Sequence, residues 1–539
     1  MTNVDVSYED LVDLVGRRLS VDEFVDRISM MGSGPEGVHA DVLTFDIFPN
    51  RPDLYSVEGI ARGLRGYLGV ETGLPRFDAT PSGIEFRVDP SVAAVRPFAV
   101  GGVVRGVELE DALLRSLVDL QEKLHLTLGR RRRKVAIGIH DLDRVAPPFA
   151  YRAVRPDAVR FVPLGRAETM DLGQILERHE KGIEFGPILA GRDAYPIIED
   201  REGTVLSFPP IINGIVTALT PETRNMFIDV TGTDLAAVQG ALAILATSLA
   251  ERGGTISTVR TVTADRTLET PDLAPKPHVL DLRRANELLG LRLTPPEAVD
   301  LLRRMRYDAR ADGETIHVLA PAYRTDLLHP FDVAEDLAIA WGYDRYPRDL
   351  PRRQTIGEPL PLNEFSDALR VLLIGYGYQE VMSLTVTSPE EPFDGPDRVR
   401  IVNPVSEDLA TLRASLLPGL LNLFKLNKHR ELPQRAFEVA DAVVGARNVR
   451  RVGVAAIHHR ASFTEAKSLA LSLARDTGKA ADVEPIEDPN FVPGRVATLR
   501  VGGEPVGRFG EIHPRILDAY GLVQPVMALE LDVEPLRTE

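Results

Sequence analysis

Apolar side chains recur at helical spacing in some segments and alternate with polar ones in others, so the pattern predicts helices and strands in turn. Within residues 1–80, a helix is predicted after Ser56, a favourable N-cap, with apolar positions at Val57, Ile60, Leu64 and Leu68. Before it, MMGSGPEG is predicted to be a Gly/Pro loop. We interpret residues 1–80 as an N-terminal module.

Residues 85–270 combine strand-like runs with helical segments. The strand-like runs are FAVGGVVRGVEL, KVAIGIHDL, GTVLSFPPIINGIV and NMFIDV. An apolar run from Asp234 to Glu251 predicts a helix that stops at Gly253 and Gly254. This order predicts one mixed α/β domain, followed by a linker over residues 262–276.

Residues 275–347 predict a small helical module. Two helices are predicted in VLDLRRANELLG and TPPEAVDLLRRM, and the second has a capping box formed by Thr294 and Glu297. The strand TIHVLAP follows, and a third helix is predicted to begin at Pro330. A Pro-rich linker over residues 348–360 then leads to residues 358–539, where the pattern predicts an antiparallel sheet with flanking helices.

Composition restricts the class of protein further. A chain of 539 residues is too long for one core, and 44% apolar with 26% charged residues is typical of a soluble globular protein. The absence of cysteine excludes disulfides, thiolate zinc sites and cysteine nucleophiles. A net charge of −16 argues against non-specific coating of nucleic acid, although a local basic site is compatible with it. With no signal-peptide pattern and no membrane span in the sequence, we expect a cytoplasmic protein without a membrane partner.

An acidic segment follows the strand TIHVLAP and carries four carboxylates: Asp326, Asp332, Glu335 and Asp336. In a helix from Pro330 the last three occupy positions i, i+3 and i+4 and share one face. Carboxylates without His or Cys select a hard cation such as Mg²⁺. Acidic residues are also common in the first turn of a helix, where they complement its dipole. On spacing alone, this second interpretation is favoured.

Five consecutive basic residues form a second feature: Arg130, Arg131, Arg132, Arg133 and Lys134. Such a run can meet nucleic-acid phosphates. It is equally compatible with a solvated helix end paired to acidic neighbours.

Polar residues cluster between Ser207 and Asp234, and they form the third feature. Asp229 and Thr231 alternate with Val230, so a strand directs both to one face, where they can line a pocket. The same stretch contains Ser207, Asn213, Asn225 and Asp234, of which Asp234 also suits a helix cap. No Ser-His-Asp order or HExxH motif supports a serine nucleophile or zinc chemistry.

Six motifs in order resemble the β subunits of phenylalanine–tRNA ligases of the shorter archaeal and eukaryotic type. They are NRPDLYSVEGIAR, RRRRKVAIGIHDLD, PPIINGIVTALTPETRNMFIDVTGTD, PAYRTDLLHPFDVAEDLAIAWGYDR, NPVSEDLATLRASLLPGLL and FGEIHPRILDAYGL. The resemblance covers nearly the whole chain. It implies an α2β2 enzyme that joins phenylalanine to tRNA(Phe) with ATP, with the aminoacylation site on α.

The resemblance also implies a fold and a role for each region. Residues 275–347 would be a winged-helix-like module, and residues 358–539 a class II synthetase-like domain without a working site. In that domain, Arg435 to Glu438 echoes the phosphate-contacting arginine motif of class II enzymes. The family pattern maps a Mg²⁺ site shared with α onto Asp326, Asp332, Glu335 and Asp336, and with all four present the metal interpretation becomes the favoured one.

Residues 85–270 resemble the family's editing domain, which hydrolyses tyrosine wrongly attached to the tRNA. The resemblance makes Ser207, Asp229 and Thr231 the candidate editing residues, and Asn213, Asn225 and Asp234 weaker ones. It makes residues 130–134 candidates for tRNA contact. Two other functions stay open: a stand-alone Mg²⁺-dependent phosphoester hydrolase, and a non-catalytic tRNA-binding or assembly protein. The hydrolase would need carboxylates for a second metal ion about 4 Å from the first, and no such set is seen in the sequence.

Overall fold

The computed structural model describes residues 2–350, 355–395 and 398–537. The chain divides into two compact units, Met1–Asp349 and Leu350–Glu539. The sequence predicts four modules within these two units, and that finer division stays a prediction. Part of the predicted second linker, residues 351–354, lies outside the described residues.

The first unit is a mixed α/β structure with eighteen strands and ten helices among its described residues. Its strands are β1 (Asn3–Ser7), β2 (Ser33–His39), β3 (Val42–Ile47), β4 (Ala79–Val88), β5 (Phe98–Arg105), β6 (Val135–Asp141), β7 (Phe149–Val154), β8 (Arg160–Phe161), β9 (Met170–Asp171), β10 (Tyr195–Glu199), β11 (Val205–Phe208), β12 (Ile212–Asn213), β13 (Asn225–Gly232), β14 (Thr255–Val262), β15 (Thr267–Thr270), β16 (Lys276–Asp281), β17 (Asp308–Asp312) and β18 (Thr315–Ala320). Its helices are α1 (Tyr8–Val15), α2 (Val21–Met30), α3 (Val57–Tyr67), α4 (Asp111–Leu126), α5 (Leu172–Arg178), α6 (Glu180–Phe185), α7 (Leu235–Ala250), α8 (Leu282–Leu289), α9 (Pro295–Arg304) and α10 (Pro330–Trp341).

A ten-stranded sheet forms the centre of this unit, in the order β12-β11-β10-β7-β4-β14-β5-β13-β6, with β15 paired to β14. Helix α7 packs on β5 and β13 and is buried on nearly all sides, which explains its apolar sequence. None of the described helices is both long and apolar enough to cross a membrane. Two three-stranded sheets, β1-β3-β2 and β16-β18-β17, flank the central sheet in sequence.

Helix starts agree with the predictions because their signals are local. The side chain of Ser56 accepts a hydrogen bond from the amide of Gly59 at 3.3 Å, the Thr294–Glu297 capping box forms, and α10 begins at Pro330. Asp234 caps α7 by accepting from the amide of Ala237 at 2.9 Å.

Three strand assignments differ from the predictions. The predicted loop MMGSGPEG contains most of β2, an edge strand with a bulge between Pro35 and Gly37 that tolerates both residue types. The predicted linker contains β15, which pairs with β14. The start of the predicted helix VLDLRRANELLG is the end of β16, which pairs with β18 before Asp281 caps α8. β2 and β15 pair with the neighbouring strands β3 and β14, and β16 pairs with the more distant β18. In each case the strand is defined by its pairing partner and not by its own residue types.

The second unit is an antiparallel sheet between helices, as predicted. Its strands are β19 (Gln379–Glu380), β20 (Val386–Thr387), β21 (Thr411–Leu412), β22 (Gln434–Val444), β23 (Arg447–Ile457), β24 (Ala481–Pro485), β25 (Phe491–Val501), β26 (Glu504–Ile512) and β27 (Val526–Asp532), and its helices are α11 (Pro361–Gly375), α12 (Leu417–Leu426), α13 (Phe463–Asp476) and α14 (Pro514–Tyr520). The main sheet has the order β19-β22-β23-β27-β26-β25-β24, with β19 parallel to β22. Helices α11 and α13 cover one face, and α12 and α14 cover the other.

Candidate functional site

A cavity of about 220 Å³ opens on the central sheet of the first unit, beside α4. Four of the six candidate editing residues line it: Ser207, Asn213, Asp229 and Thr231. They lie on β11, β12 and β13. The sheet therefore brings together residues that are up to 24 positions apart in the sequence. The structure thus collects these side chains in one place, and their part in any reaction stays a prediction.

Asp229 lies in this cavity and is paired with His140. The Nε2 atom of His140 is 2.7 Å from Oδ2 of Asp229, and its Nδ1 atom is 2.8 Å from Oγ1 of Thr217. His140 and Asp229 are both buried, with 0% and 1% of their surface exposed. A buried carboxylate needs such a partner, because burying it alone is costly. The imidazole therefore fixes the position of the Asp229 carboxylate.

Sequence reasoning missed His140, because its contact with Asp229 arises from the pairing of β6 with β13 and not from local spacing. His140 and Gly138 alternate on β6, and Gly138 lies opposite Asp229 in the β6–β13 register. A Cβ atom at Gly138 would come within 2.0 Å of Oδ2 of Asp229 and 2.6 Å of Nε2 of His140. The glycine leaves the space in which this pair forms.

Thr231 is held by a buried arginine. Arg96 donates from Nε to Oγ1 of Thr231 at 3.0 Å and from Nη2 to its carbonyl oxygen at 2.8 Å. Burial lowers the pKa of Arg96 to about 10, so the group remains charged at neutral pH. Since the Thr231 oxygen already accepts one bond, its hydroxyl hydrogen is available to donate.

Ser207 and Asn213 form a polar pair on neighbouring strands of the same cavity. Ser207 Oγ donates to Oδ1 of Asn213 at 3.2 Å, and among the described residues it has no hydrogen bond to a histidine. This arrangement presents polar atoms to a ligand but lacks the geometry of an activated serine nucleophile. Asn225 lies outside the cavity and donates to both carboxylate oxygens of Asp143 at 3.0 Å. Asp234 is the helix cap described above.

The basic run forms a left-handed turn. Arg130, Arg131 and Arg132 have φ angles of 48°, 54° and 63°, a conformation that is rare for residues with side chains. Arg130, Arg131 and Arg133 are exposed, whereas Lys134 is paired with Asp234 at 3.3 Å. The side chains of Arg130, Arg131 and Arg133 are therefore the ones in this run that solvent and a ligand can reach.

Arg132 points the other way and forms part of the cavity wall. Its Nη1 donates to the carbonyl oxygen of Ile211 at 2.9 Å, its Nη2 donates to Glu122 at 2.6 Å, and its guanidinium lies 4.3 Å from the ring centre of Phe185. Only 8% of Arg132 is exposed. The predicted phosphate contact therefore does not suit Arg132, which is committed to the protein interior.

His125 completes this wall in its neutral form. Its Nε2 accepts from the amide of Ile137 at 2.8 Å, so Nδ1 carries the hydrogen and donates to Glu122 at 3.2 Å. Burial lowers the pKa of His125, which agrees with a neutral ring. Burial acts to raise the pKa of Glu122, but His125 and Arg132 outweigh it and bring that pKa to about 2.

Three of the four carboxylates in the acidic segment have hydrogen-bond donors within the chain. Arg324 donates to both oxygens of Asp326, with Nη2 to Oδ2 at 2.7 Å, and to Oδ2 of Asp336 at 2.8 Å. Asp332 Oδ2 accepts from the amides of Leu328 and His329 at 2.7 Å each, which is a helix-capping role.

Glu335 is the exposed member of the four carboxylates. Partial burial and the negative charges of Asp336, Asp332 and Asp326 raise its pKa. Among the described residues, no three acidic or histidine side chains are grouped so as to hold a metal ion. In this chain alone, the four carboxylates are therefore not grouped as ligands of one Mg²⁺ ion. A Mg²⁺ site shared with a second subunit stays a prediction.

In the second unit, Arg435 and Glu438 do not form one site. Arg435 is exposed, and Glu438 is buried on β22, where it pairs with Arg413 at 2.7 Å and accepts from the Ser383 hydroxyl at 2.6 Å. An odd separation along a strand places the two side chains on opposite faces. The geometry therefore gives no phosphate clamp from this pair.

Comparisons with known proteins agree on one family. Three family models match: the Phenylalanyl tRNA synthetase beta chain CLM domain at residues 347–533, the tRNA synthetase B5 domain at 278–343 and the B3/4 domain at 110–263. Phenylalanine--tRNA ligase beta subunits from Methanothrix thermoacetophila and Methanococcoides burtonii are 44% and 41% identical, each over 99% of this chain and 100% of the relative. A crystal structure of an N-terminal fragment of the Pyrococcus horikoshii phenylalanyl-tRNA synthetase β subunit is 41% identical, covers 63% of this chain and 99% of the fragment, and gives a TM-score of 0.61. The chain therefore belongs to the family of phenylalanine–tRNA ligase β subunits, as its six motifs predicted.

Proposed function

We propose that this chain combines with an α subunit in an α2β2 enzyme that joins phenylalanine to tRNA(Phe) with ATP, and that its cavity on β13 removes wrongly attached tyrosine. The aminoacylation site is assigned to α. Kinship with ligase subunits over 99% of the chain supports the first part. The buried Asp229–His140 pair in the cavity carries the second part.

A need for editing follows from the chemistry of the substrate pair. A pocket that binds phenylalanine through apolar contacts rejects an added hydroxyl by only on the order of a hundredfold. A second site that hydrogen-bonds the tyrosine hydroxyl can supply further discrimination, since phenylalanine cannot make that bond. The cavity of about 220 Å³ is smaller than the roughly 300–1,000 Å³ of sites for drug-sized ligands, which suits a single aminoacyl group.

The described side chains suit recognition better than covalent catalysis. Asp229, already held by His140, can accept a hydrogen bond from the tyrosine hydroxyl or from the ammonium group. Thr231 can donate, because Arg96 donates to its oxygen and leaves the hydroxyl hydrogen free for a ligand. Holding the ester in one position while water attacks lowers the barrier by several kcal/mol when the geometry is right. We therefore assign positioning of the ester to Asp229 and Thr231.

Exposed apolar side chains on the second unit support an α partner. Five lie between the start of α11 and the segment after β19: Leu360, Val371, Ile374, Met382 and Leu384. Met382, for example, is 93% exposed, and exposed apolar side chains that lie together on a surface are typical of a protein–protein contact. A protein partner with an apolar surface would remove these side chains from water.

The other predicted ligands are retained as parts of this proposal. We assign phosphate contact with tRNA to Arg130, Arg131 and Arg133, since these side chains are exposed. We assign Mg²⁺ to Asp332 and Glu335, the two carboxylates that Arg324 does not hold, because Mg²⁺ takes one or two carboxylates together with water. A cytoplasmic location is expected for a participant in translation.

The phosphoester-hydrolase alternative is weakened, since two of its four carboxylates are paired with Arg324.

Co-expression with a candidate α subunit tests the ligase assignment. We expect the two chains to copurify and to catalyse phenylalanine-dependent exchange between ATP and pyrophosphate. Failure of both would favour the non-catalytic tRNA-binding alternative.

Misacylation by the α2β2 enzyme tests the editing assignment. With excess tyrosine, the Asp229→Ala enzyme should accumulate Tyr-tRNA(Phe), while its charging with phenylalanine matches the wild type. Asp265→Ala, an exposed aspartate in the same unit, serves as the control and should accumulate none. Equal product levels in all three enzymes would remove the cavity from editing.

A further inference from the structure

The acidic segment contains two carboxylates that pair with an arginine of the same chain: Asp336, whose side chain is 3% exposed, and Asp326, whose side chain is 10% exposed. We propose that the guanidinium of Arg324, rather than a divalent cation, is the partner of Asp326 and Asp336. This pairing concerns the folding of the first unit and does not depend on aminoacylation or editing.

Arg324 is buried and donates hydrogen bonds to both carboxylates. Its Nε donates to Oδ1 of Asp326 at 2.9 Å, and its Nη2 donates to Oδ2 of Asp326 at 2.7 Å and to Oδ2 of Asp336 at 2.8 Å. The exposed fraction is 3% for the Arg324 side chain and 3% for the Asp336 side chain. Charged groups this deep require partners, and a two-oxygen contact from a planar guanidinium is the strongest arrangement available to arginine.

Neighbouring groups stabilise the two carboxylates further. The Tyr307 hydroxyl donates to the same Oδ2 of Asp336. The Tyr307 ring lies 5.3 Å from the Arg324 guanidinium, within the range of a cation–π contact. Arg51, itself held by Asp53 at 2.9 Å, adds a second positive charge that acts on Asp326.

A metal ion on these two carboxylates would compete with Arg324 for the same atoms. Both oxygens of Asp326 and Oδ2 of Asp336 already accept hydrogen bonds. A divalent cation would also be repelled by the guanidinium at close range, where low polarity strengthens the interaction. Binding there therefore requires Arg324 to move out of a buried position. Arg324 does not hold Asp332 or Glu335, so a metal ion on these two carboxylates would not compete with Arg324.

Thermal unfolding of the full-length chain with EDTA or with Mg²⁺ is the first test. The melting temperature of the Asp332→Asn, Glu335→Gln chain, which lacks the two carboxylates assigned to Mg²⁺ above, should change by less than about 1 °C between the two conditions, because no metal holds Asp326 and Asp336. A fall of several degrees in EDTA that Mg²⁺ reverses would overturn the proposal.

The Arg324→Met variant is the second test. Removing the cation takes the arginine partner from the buried Asp336 and the mostly buried Asp326, so the melting temperature should fall by roughly 10 °C. Arg283→Met, at an exposed position of α8 in the same region, is the control and should leave it unchanged. Equal melting temperatures for Arg324→Met and the control would contradict the proposal.

Two further measurements keep the proposal testable if Arg324→Met does not fold. The triple variant Arg324→Met, Asp326→Asn, Asp336→Asn removes all three charges together and should recover soluble, cooperatively unfolding protein. The metal content of Asp326→Asn, measured after dialysis against Mg²⁺, should equal that of the wild type. A triple variant that stays unfolded, or an Asp326→Asn chain that loses bound Mg²⁺, would overturn the proposal.

Discussion

Gly138 lies on β6 directly opposite Asp229 on β13, and its missing side chain leaves the space that the Asp229 carboxylate occupies. A Cβ atom there would approach Asp229 Oδ2 to 2.0 Å, far inside van der Waals contact. His140, two residues further on the same strand, holds that carboxylate from the side. At the scale of single residues, the cavity depends on this glycine as much as on its polar side chains.

The Gly138→Ala variant tests this dependence. We expect it to push Asp229 away from His140, to lower the free energy of unfolding by about 1–3 kcal/mol and to abolish deacylation of Tyr-tRNA. Gly34→Ala is the control, because a Cβ at that strand position would have its nearest neighbour at 3.9 Å. Unchanged deacylation by Gly138→Ala would show that the Asp229–His140 geometry is not required.

At the scale of elements, the left-handed turn of Arg130 to Arg132 directs the side chains of one basic run in two directions. Each residue in this conformation costs about 1–2 kcal/mol, and the turn is held by backbone bonds such as Lys134 N–H to the Gly129 carbonyl oxygen at 2.8 Å. The turn directs Arg132 into the cavity wall and leaves its neighbours in water. Strain at such a position is typical of a functional segment.

Replacing Arg130, Arg131 and Arg133 together with alanine tests the outward side of the turn. Binding of tRNA by the α2β2 enzyme should weaken, and the slope of log K against log salt should fall by about 0.7–0.9 for each phosphate that the enzyme no longer binds. A matched variant with alanine at Arg155, Arg192 and Arg201, three exposed arginines elsewhere in the unit, removes the same charge. Identical slopes for the two variants would assign the run to structure alone.

The same elements show what the sequence could and could not predict. Helix starts were predictable because Ser56, Thr294 and Pro330 act within one turn of their own position. The shared face of Asp229 and Thr231 followed from strand alternation. The partner His140 lies 89 residues away and is reached through strand pairing, and the pairing of Arg324 with Asp336 depends on side-chain packing. Neither contact is encoded in local spacing.

At the scale of the whole molecule, the second unit bears on which chemistry this chain performs by itself. The exposed Arg435 and the buried Glu438 lie on opposite faces of β22, and Glu438 is occupied by Arg413. Developing charge on the α-phosphate of ATP needs fixed cations close to it. This pair does not provide them.

The purified chain alone should therefore show no phenylalanine-dependent exchange between ATP and pyrophosphate. The control is the α2β2 complex assembled from the same preparation, which should show it. Robust exchange by the chain alone would place an aminoacylation site on this subunit.

Deacylation of preformed Tyr-tRNA(Phe) by the α2β2 enzyme tests the central claim most directly, because it isolates the cavity from the charging reaction. Wild-type enzyme should hydrolyse Tyr-tRNA(Phe) and leave Phe-tRNA(Phe) nearly untouched, and Asp229→Ala at the same concentration should be slower on Tyr-tRNA(Phe) by roughly 10- to 100-fold, the loss of one charged hydrogen bond. Equal rates for the two enzymes on Tyr-tRNA(Phe) would contradict the account and leave Asp229 a structural residue of its strand.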